Sequence, residues 1–94
     1  MNEIIAKRLR VHGRVQGVGF RFYTVREALT QGLTGWVRNR SDGSVEVQVQ
    51  GPADKLDDFL GWIRCGPASA RVDRLDIDDA DLETLVSFCE IDTL

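Results

Sequence analysis

Ninety-four residues, 43% of them hydrophobic, suffice for one compact domain with one core, residues 1–94, and are too few for a second. No apolar run approaches the roughly 20 residues of a membrane span, and the opening Met-Asn-Glu-Ile-Ile-Ala-Lys-Arg lacks the apolar stretch of a secretion signal, so a cytoplasmic protein without membrane partners is expected. The net charge of −3 argues against a broad nucleic-acid footprint, but it is unevenly spread, with eight Lys and Arg against two acids in residues 1–40 and four against thirteen in residues 41–94.

The chain opens on a strand. Ile5, Leu9 and Val11 alternate with Arg8, Arg10 and His12, the pattern of a half-buried strand over Ile4–Val11. Lys7 breaks the inward series, as a residue at the sheet margin would. Gly13-Arg14-Val15-Gln16-Gly17-Val18-Gly19-Phe20-Arg21 follows and leads into a helix read over Phe22–Gln31. Phe22, Val25, Ala28 and Leu29 form its inner face at helical spacing, and Gly32 ends it. A second strand runs from Leu33 to Asn39, and Ser41-Asp42-Gly43 signals a hairpin. Val45, Val47 and Val49 alternating with Glu46, Gln48 and Gln50 make the clearest strand of the sequence.

Pro52 suits the first position of a second helix, where Leu56, Phe59, Leu60 and Ile63 share one face and Cys65-Gly66-Pro67 stops the run. A fourth strand is read over Arg71–Ile77, with Val72 out of parity with Leu75 and Ile77. The acidic run Asp78-Asp79-Ala80-Asp81 reads as a solvated connection, and Leu85–Ile91 as a fifth strand. The order βαββαβ plus a final strand predicts an α+β, ferredoxin-like two-layer sandwich, an antiparallel sheet with both helices on one face.

Within that plan the glycine-rich stretch carries the chemistry. A glycine turn entering a helix aims several N–H groups at one point, which suits an anion, and an arginine fork at its end matches phosphate oxygens. It is no P-loop, because the Gly-Lys-Ser/Thr ending is missing, and it lacks the spacing of a dinucleotide fingerprint. The basic first half should add a field favouring an anion. In a split βαβ unit the first two strands run parallel with another between them, so Arg21 and Asn39 come to one sheet edge about two strand spacings of 4.8 Å apart. Asn39 cannot take a proton, but its amide can hold a water. Orientation and charge stabilisation suffice for phosphoryl transfer to water, most readily when the leaving group is a carboxylate with a conjugate-acid pKa of about 4–5. Cys65 and Cys89 with the single His12 do not make a four-ligand zinc site, and no metal or cofactor is expected. Both cysteines read as mostly reduced thiols.

Gly13–Arg21, Gly32-Leu33-Thr34-Gly35-Trp36-Val37-Arg38-Asn39, Asp42-Gly43-Ser44-Val45-Glu46, Gly51-Pro52 and Gly66–Val72 together resemble the acylphosphatases over nearly the whole chain. The resemblance implies metal-free hydrolysis of acyl phosphates to carboxylate and inorganic phosphate, with these small molecules as the partners and a monomer as the expected state. It implies that Arg21 binds the phosphoryl group with the backbone of Val15, Gln16, Gly17, Val18, Gly19 and Phe20, and that Asn39 orients the attacking water. The family usually closes with Phe-x-Ile, whereas Phe88-Cys89-Glu90-Ile91 departs from that pattern and leaves the last strand's register open.

Each residue also has a plainer reading. The glycines serve any tight connection, a lone Arg21 is more often solvated, and Asn39 is a common strand-end residue. Arg14, Arg38 and Arg40 read as solvated, Trp36 and Trp62 as packing residues, and His12 as an ordinary strand side chain. The rival function is a non-catalytic module binding phosphate or carbamoyl phosphate, since acylphosphatase-like domains also occur inside larger hydrogenase-maturation proteins. RNA binding on the sheet would need exposed aromatics on the central strands, and Ile4–Val11 and Val45–Gln50 hold none.

Overall fold

The alternating and helical runs of the sequence become seven elements in a computed structural model that describes residues 3–94. Met1 and Asn2, the start of the segment read for a secretion signal, lie outside the described residues. The elements are β1 (Ile4–Arg14), α1 (Phe20–Thr30), β2 (Thr34–Asn39), β3 (Val45–Pro52), α2 (Ala53–Cys65), β4 (Arg71–Ala80) and β5 (Phe88–Glu90). Among the described residues no helix is long and apolar enough to cross a membrane.

The sheet has the order β4-β1-β3-β2-β5, so β3 lies between the parallel β1 and β2 as the split βαβ plan requires. The expected antiparallel pairing holds for β1 with β3 and β4 and for β2 with β3, whereas β5 joins β2 in parallel. α1 packs on β2 and β5, and α2 on β3 and β4. Leu9, Val11, Val37, Val45, Val47 and Val49 from the sheet meet Phe20, Ala28, Leu56, Phe59 and Ile63 from the helices in one buried cluster. Each Val, Leu, Ile or Phe among them contributes about 1.5–3 kcal/mol by leaving water.

Several elements differ from the sequence reading. α1 begins at Phe20 and buries Phe20, Thr24 and Ala28, not Phe22 and Leu29, which are exposed. Phe20, not Phe22, anchors the helix, and Thr24 joins the inner stripe because its hydroxyl donates to the Phe20 carbonyl at 2.8 Å and so enters the core with its polar group satisfied. Pro52 is the last strand residue and caps α2 in extended conformation instead of taking its first helical position. β4 continues through Asp78, Asp79 and Ala80, because these residues find partners on β1: Asp78 is opposite Arg8, and Asp79 is opposite Lys7, whose ammonium it also binds. The run read as a solvated connection is therefore mostly strand. Conversely, β5 is only Phe88–Glu90, not Leu85–Ile91.

The parity conflict in β4 has a specific cause. The β1–β4 register shifts between His12 and Gly13, with Arg74 opposite His12 but Val72 opposite Gly13. The extra residue, Asp73, is a β-bulge that turns Val72 to the same face as Leu75 and Ile77, and all three pack on the core. Gly13 belongs to this bulge. Its φ is 131°, and a Cβ there would run into the Arg71 carbonyl.

The helix-free face of β3 is also buried, through polar residues. Glu46, Gln48 and Gln50 are at most 6% exposed. Residues 81–87, between β4 and β5, cross from one edge of the sheet to the other over this face. Gln48 donates to the Asp81 carbonyl at 3.0 Å, Gln50 donates to the Glu83 carbonyl at 2.7 Å, and the Glu83 N–H donates back to Gln50 at 3.0 Å. Trp36 donates to the Glu83 carboxylate at 2.9 Å and lies between the Arg8 and Arg38 guanidinium groups, each 4.8 Å from the ring centroid. Arg38 and Arg40 are thus half-buried and bound to Glu46 at 2.9 and 3.0 Å, not solvated.

Burial pushes the Glu46 carboxyl up, but the Arg38 hydrogen bond and the charges of Arg38 and Arg40 outweigh it and hold the pKa below its ordinary value of 4.5. A depressed carboxylate stabilises the fold above its unfolded-state pKa and loses that stabilisation as pH falls through the folded-state value. Glu46→Gln should cost about 1–3 kcal/mol at pH 7, and urea unfolding should show the gap from the unsubstituted protein narrowing below about pH 4.5.

Candidate active site

Behind β1 the chain makes its turn over residues 15–19. Val15 is buried and fixes the turn to the core. Gly17 and Gly19 adopt φ values of 73° and 80°, a conformation strained for other residues. Gly19 is the N-cap of α1, and the first turn of this helix holds no acid. The helix therefore sets no carboxylate of its own first turn against its N-terminal N–H groups and positive dipole end.

A pocket of about 160 Å³ opens here, lined by Val15, Gly17, Gly19, Phe20, Arg21, Phe22, Asn39 and Glu90. Arg21 from the start of α1 and Asn39 from the end of β2 thus share one pocket, as the split βαβ crossover predicts. The Asn39 Oδ1 is buried and accepts no hydrogen bond from the described residues. Four of the six predicted turn residues line the pocket; Gln16 and Val18 do not. The Gln16 side chain turns to the β2–β3 hairpin and donates to the carbonyls of Arg40 and Ser44, both at 2.8 Å. The Val18 carbonyl accepts from the Ser69 hydroxyl at 2.7 Å.

The field around this site differs from the expectation. Six of the eight cations in residues 1–40 are paired with acids of the second half, namely Lys7, Arg8, Arg10, Arg21, Arg38 and Arg40. Most of these pairs lie on the helix-free face, so the basic surplus is consumed there and Arg21 is the cation that lines the pocket. A larger depression of about 550 Å³ is lined by Asp78, Asp79, Asp81 and Glu83 with Arg8, a charge balance unfavourable to an anion. His12 contacts Asp76 at 3.1 Å on the β1–β4 side of the sheet. Cys65 and Cys89 are both free and exposed.

Sequence reasoning missed three contributors: the Gln16 side chain, Phe22 as a pocket wall, and Glu90. The register of β5 explains the last. Phe88 is opposite Gly35 and Glu90 opposite Val37, with Phe88 buried and Cys89 exposed. Alternation then turns Glu90 to the helix side with Phe88, and its carboxylate stands 3.6 Å from the Arg21 Nε. Two-residue parity from a buried Phe88 is the signal that would have found it.

A family model described as Acylphosphatase matches residues 7–89. A protein named Acylphosphatase from Rhizorhabdus wittichii is 51% identical over 75 residues, covering 80% of this chain and 76% of its own. Among solved structures, acylphosphatase from Bacillus subtilis matches with a TM-score of 0.89 at 36% identity, over 95% of this chain and 99% of that one. An acylphosphatase from Coxiella burnetii matches with a TM-score of 0.90 at 32% identity, over 96% of this chain and 94% of its own.

The two Gln16 bonds tie the glycine turn to the hairpin that follows Asn39. Gln16→Ala should lower stability by about 1–3 kcal/mol and weaken inorganic-phosphate binding several-fold, read by urea unfolding and by competition with substrate.

Proposed function

The chain belongs to the acylphosphatase family, and on that premise we propose how its own residues carry the reaction. It is an enzyme that splits the carboxyl–phosphate bond of an acyl phosphate into a carboxylate and inorganic phosphate, rather than a non-catalytic binding module.

In our reading the N–H groups of the Val15–Phe20 turn and the Arg21 guanidinium hold the phosphoryl oxygens. Asn39 orients a water for in-line attack. The water oxygen bonds to phosphorus as the bond from phosphorus to the acyl oxygen breaks, and the carboxylate leaves with the electron pair. The water's proton passes to a phosphoryl oxygen. A carboxylate leaves without protonation, so the site needs no general acid, and charge stabilisation by fixed donors supplies the main catalytic effect. The same proposal takes the protein as a cytoplasmic monomer acting without metal or cofactor.

The observation that supports this reading is that Arg21 and Asn39, eighteen residues apart in the chain, line one pocket together with Gly17 and Gly19 of the turn.

Arg21→Gln should reduce hydrolysis of a synthetic acyl phosphate by on the order of 10²–10³ or more and abolish competition by inorganic phosphate; near-normal turnover would refute its role. Asn39→Ala should keep phosphate binding while losing turnover. An equal fall in phosphate affinity, measured as a competitive inhibition constant, would make Asn39 a ligand instead.

A further inference from the structure

The pocket contains one feature that the proposed reaction does not use. Glu90 brings a carboxylate into a site whose other features favour an anion, and it does so against the arginine that serves that anion. Among the described residues Glu90 is the acid that lines this pocket and Arg21 the cation.

Two observations show that this placement is set by the fold. β5 pairs with β2 through Gly35–Phe88 and Val37–Glu90, so residue 90 shares the helix-side face of the sheet with the buried Phe88. A charged residue at that parity breaks the apolar pattern of the face, and such local violations mark functional or strained positions. The contact is also not a tight structural ion pair. At 3.6 Å the Nε–Oε1 approach is a charge contact, and the two side chains remain 37% and 45% exposed. Such a pair stabilises the fold little, whereas a fixed negative charge beside a phosphoryl dianion opposes its binding directly.

We propose that Glu90 is an affinity-setting residue, an internal competitor for the Arg21 guanidinium that weakens ground-state binding of the phosphoryl group and of the inorganic phosphate product. When the pocket is empty the carboxylate neutralises Arg21. When phosphate enters, the guanidinium turns its donors to the phosphate oxygens, and the Glu90 charge is left facing another anion. The result is a site that takes phosphoryl groups without retaining product. This inference rests on the assignment of Arg21 as the phosphate ligand.

The test is direct binding of inorganic phosphate to the full chain, by calorimetry, together with its competitive inhibition constant. Glu90→Gln keeps the shape and removes the charge, and it should tighten phosphate by about 3- to 20-fold. Glu90→Asp, which keeps the charge, should stay within about two-fold of the unsubstituted protein, so that a change of shape alone is separated from a change of charge. Unchanged or weaker binding in Glu90→Gln would overturn the proposal; the first would leave Glu90 as an inward charge guarding an edge strand, and the second would make it a residue that orients Arg21. Tightening by both variants would overturn it too, because bulk and not charge would then be responsible. Arg21→Gln run alongside separates the two levels: if it binds phosphate normally, the site assignment itself fails, whereas lost binding there with no gain in Glu90→Gln fails the competitor alone.

Discussion

The structure depends on β3 being buried on both faces. One face is solved by hydrophobicity, with Val45, Val47 and Val49 fully enclosed under the helices. The other is solved by one carboxylate. Glu46 lies within ion-pair distance of Arg8, Arg10, Arg38 and Arg40, from both flanking strands and the hairpin. A buried charge is tolerated only when paired and hydrogen-bonded, and here the cations that surround it are themselves part-exposed and keep contact with water. Gln48, Gln50 and Trp36 extend that layer and are covered by the crossing of residues 81–87. β1 and β2 are thereby held on either side of β3, and this spacing sets the distance between the turn that leaves β1 and the asparagine that ends β2.

The helix-side architecture was legible because it follows from apolar periodicity and turn chemistry. The alternation of β3, the face of α2 and the glycine turn all read correctly, and the split βαβ order was enough to bring Arg21 and Asn39 together. What could not be read depends on partners far away in sequence. Arg38 and Arg40 look solvated until Glu46 is placed beside them. Asp78 and Asp79 look like a loop until β1 supplies Arg8 and Lys7 opposite. The parity of Val72 makes sense only with the bulge at Asp73. In α1 the low contrast between faces misled the pattern, since Phe22, Tyr23 and Leu29 are exposed while Thr24 is buried.

The site is assembled in a similar way, from pieces whose order in the chain hides their proximity. Gly17, Gly19 and Arg21 come from the turn and the start of α1, the asparagine from a strand two places across the sheet, and the carboxylate against Arg21 from the edge strand. The Gln16 side chain links the first two by bonding to the hairpin carbonyls. The positions that hold these pieces together are strand pairings and the side chain of one glutamine.

The bulged, two-sided pairing of β1 also governs how the chain reaches this state. β1 precedes β3 and β4 in the chain, yet it lies in the interior of the sheet, between them. Its register joins residues as distant in sequence as Ala6 and Ala80. Pairings of such long range must close large loops before they are rewarded, which slows folding. Until β4 arrives, one side of β1 is an open strand edge, the kind of surface that recruits other chains. Lys7, Arg8 and Arg10 lie on that strand. A strand carrying these three cations and not yet paired with β4 would repel a copy of itself, and in the folded sheet the same cations bind Asp79, Glu46 and Asp42.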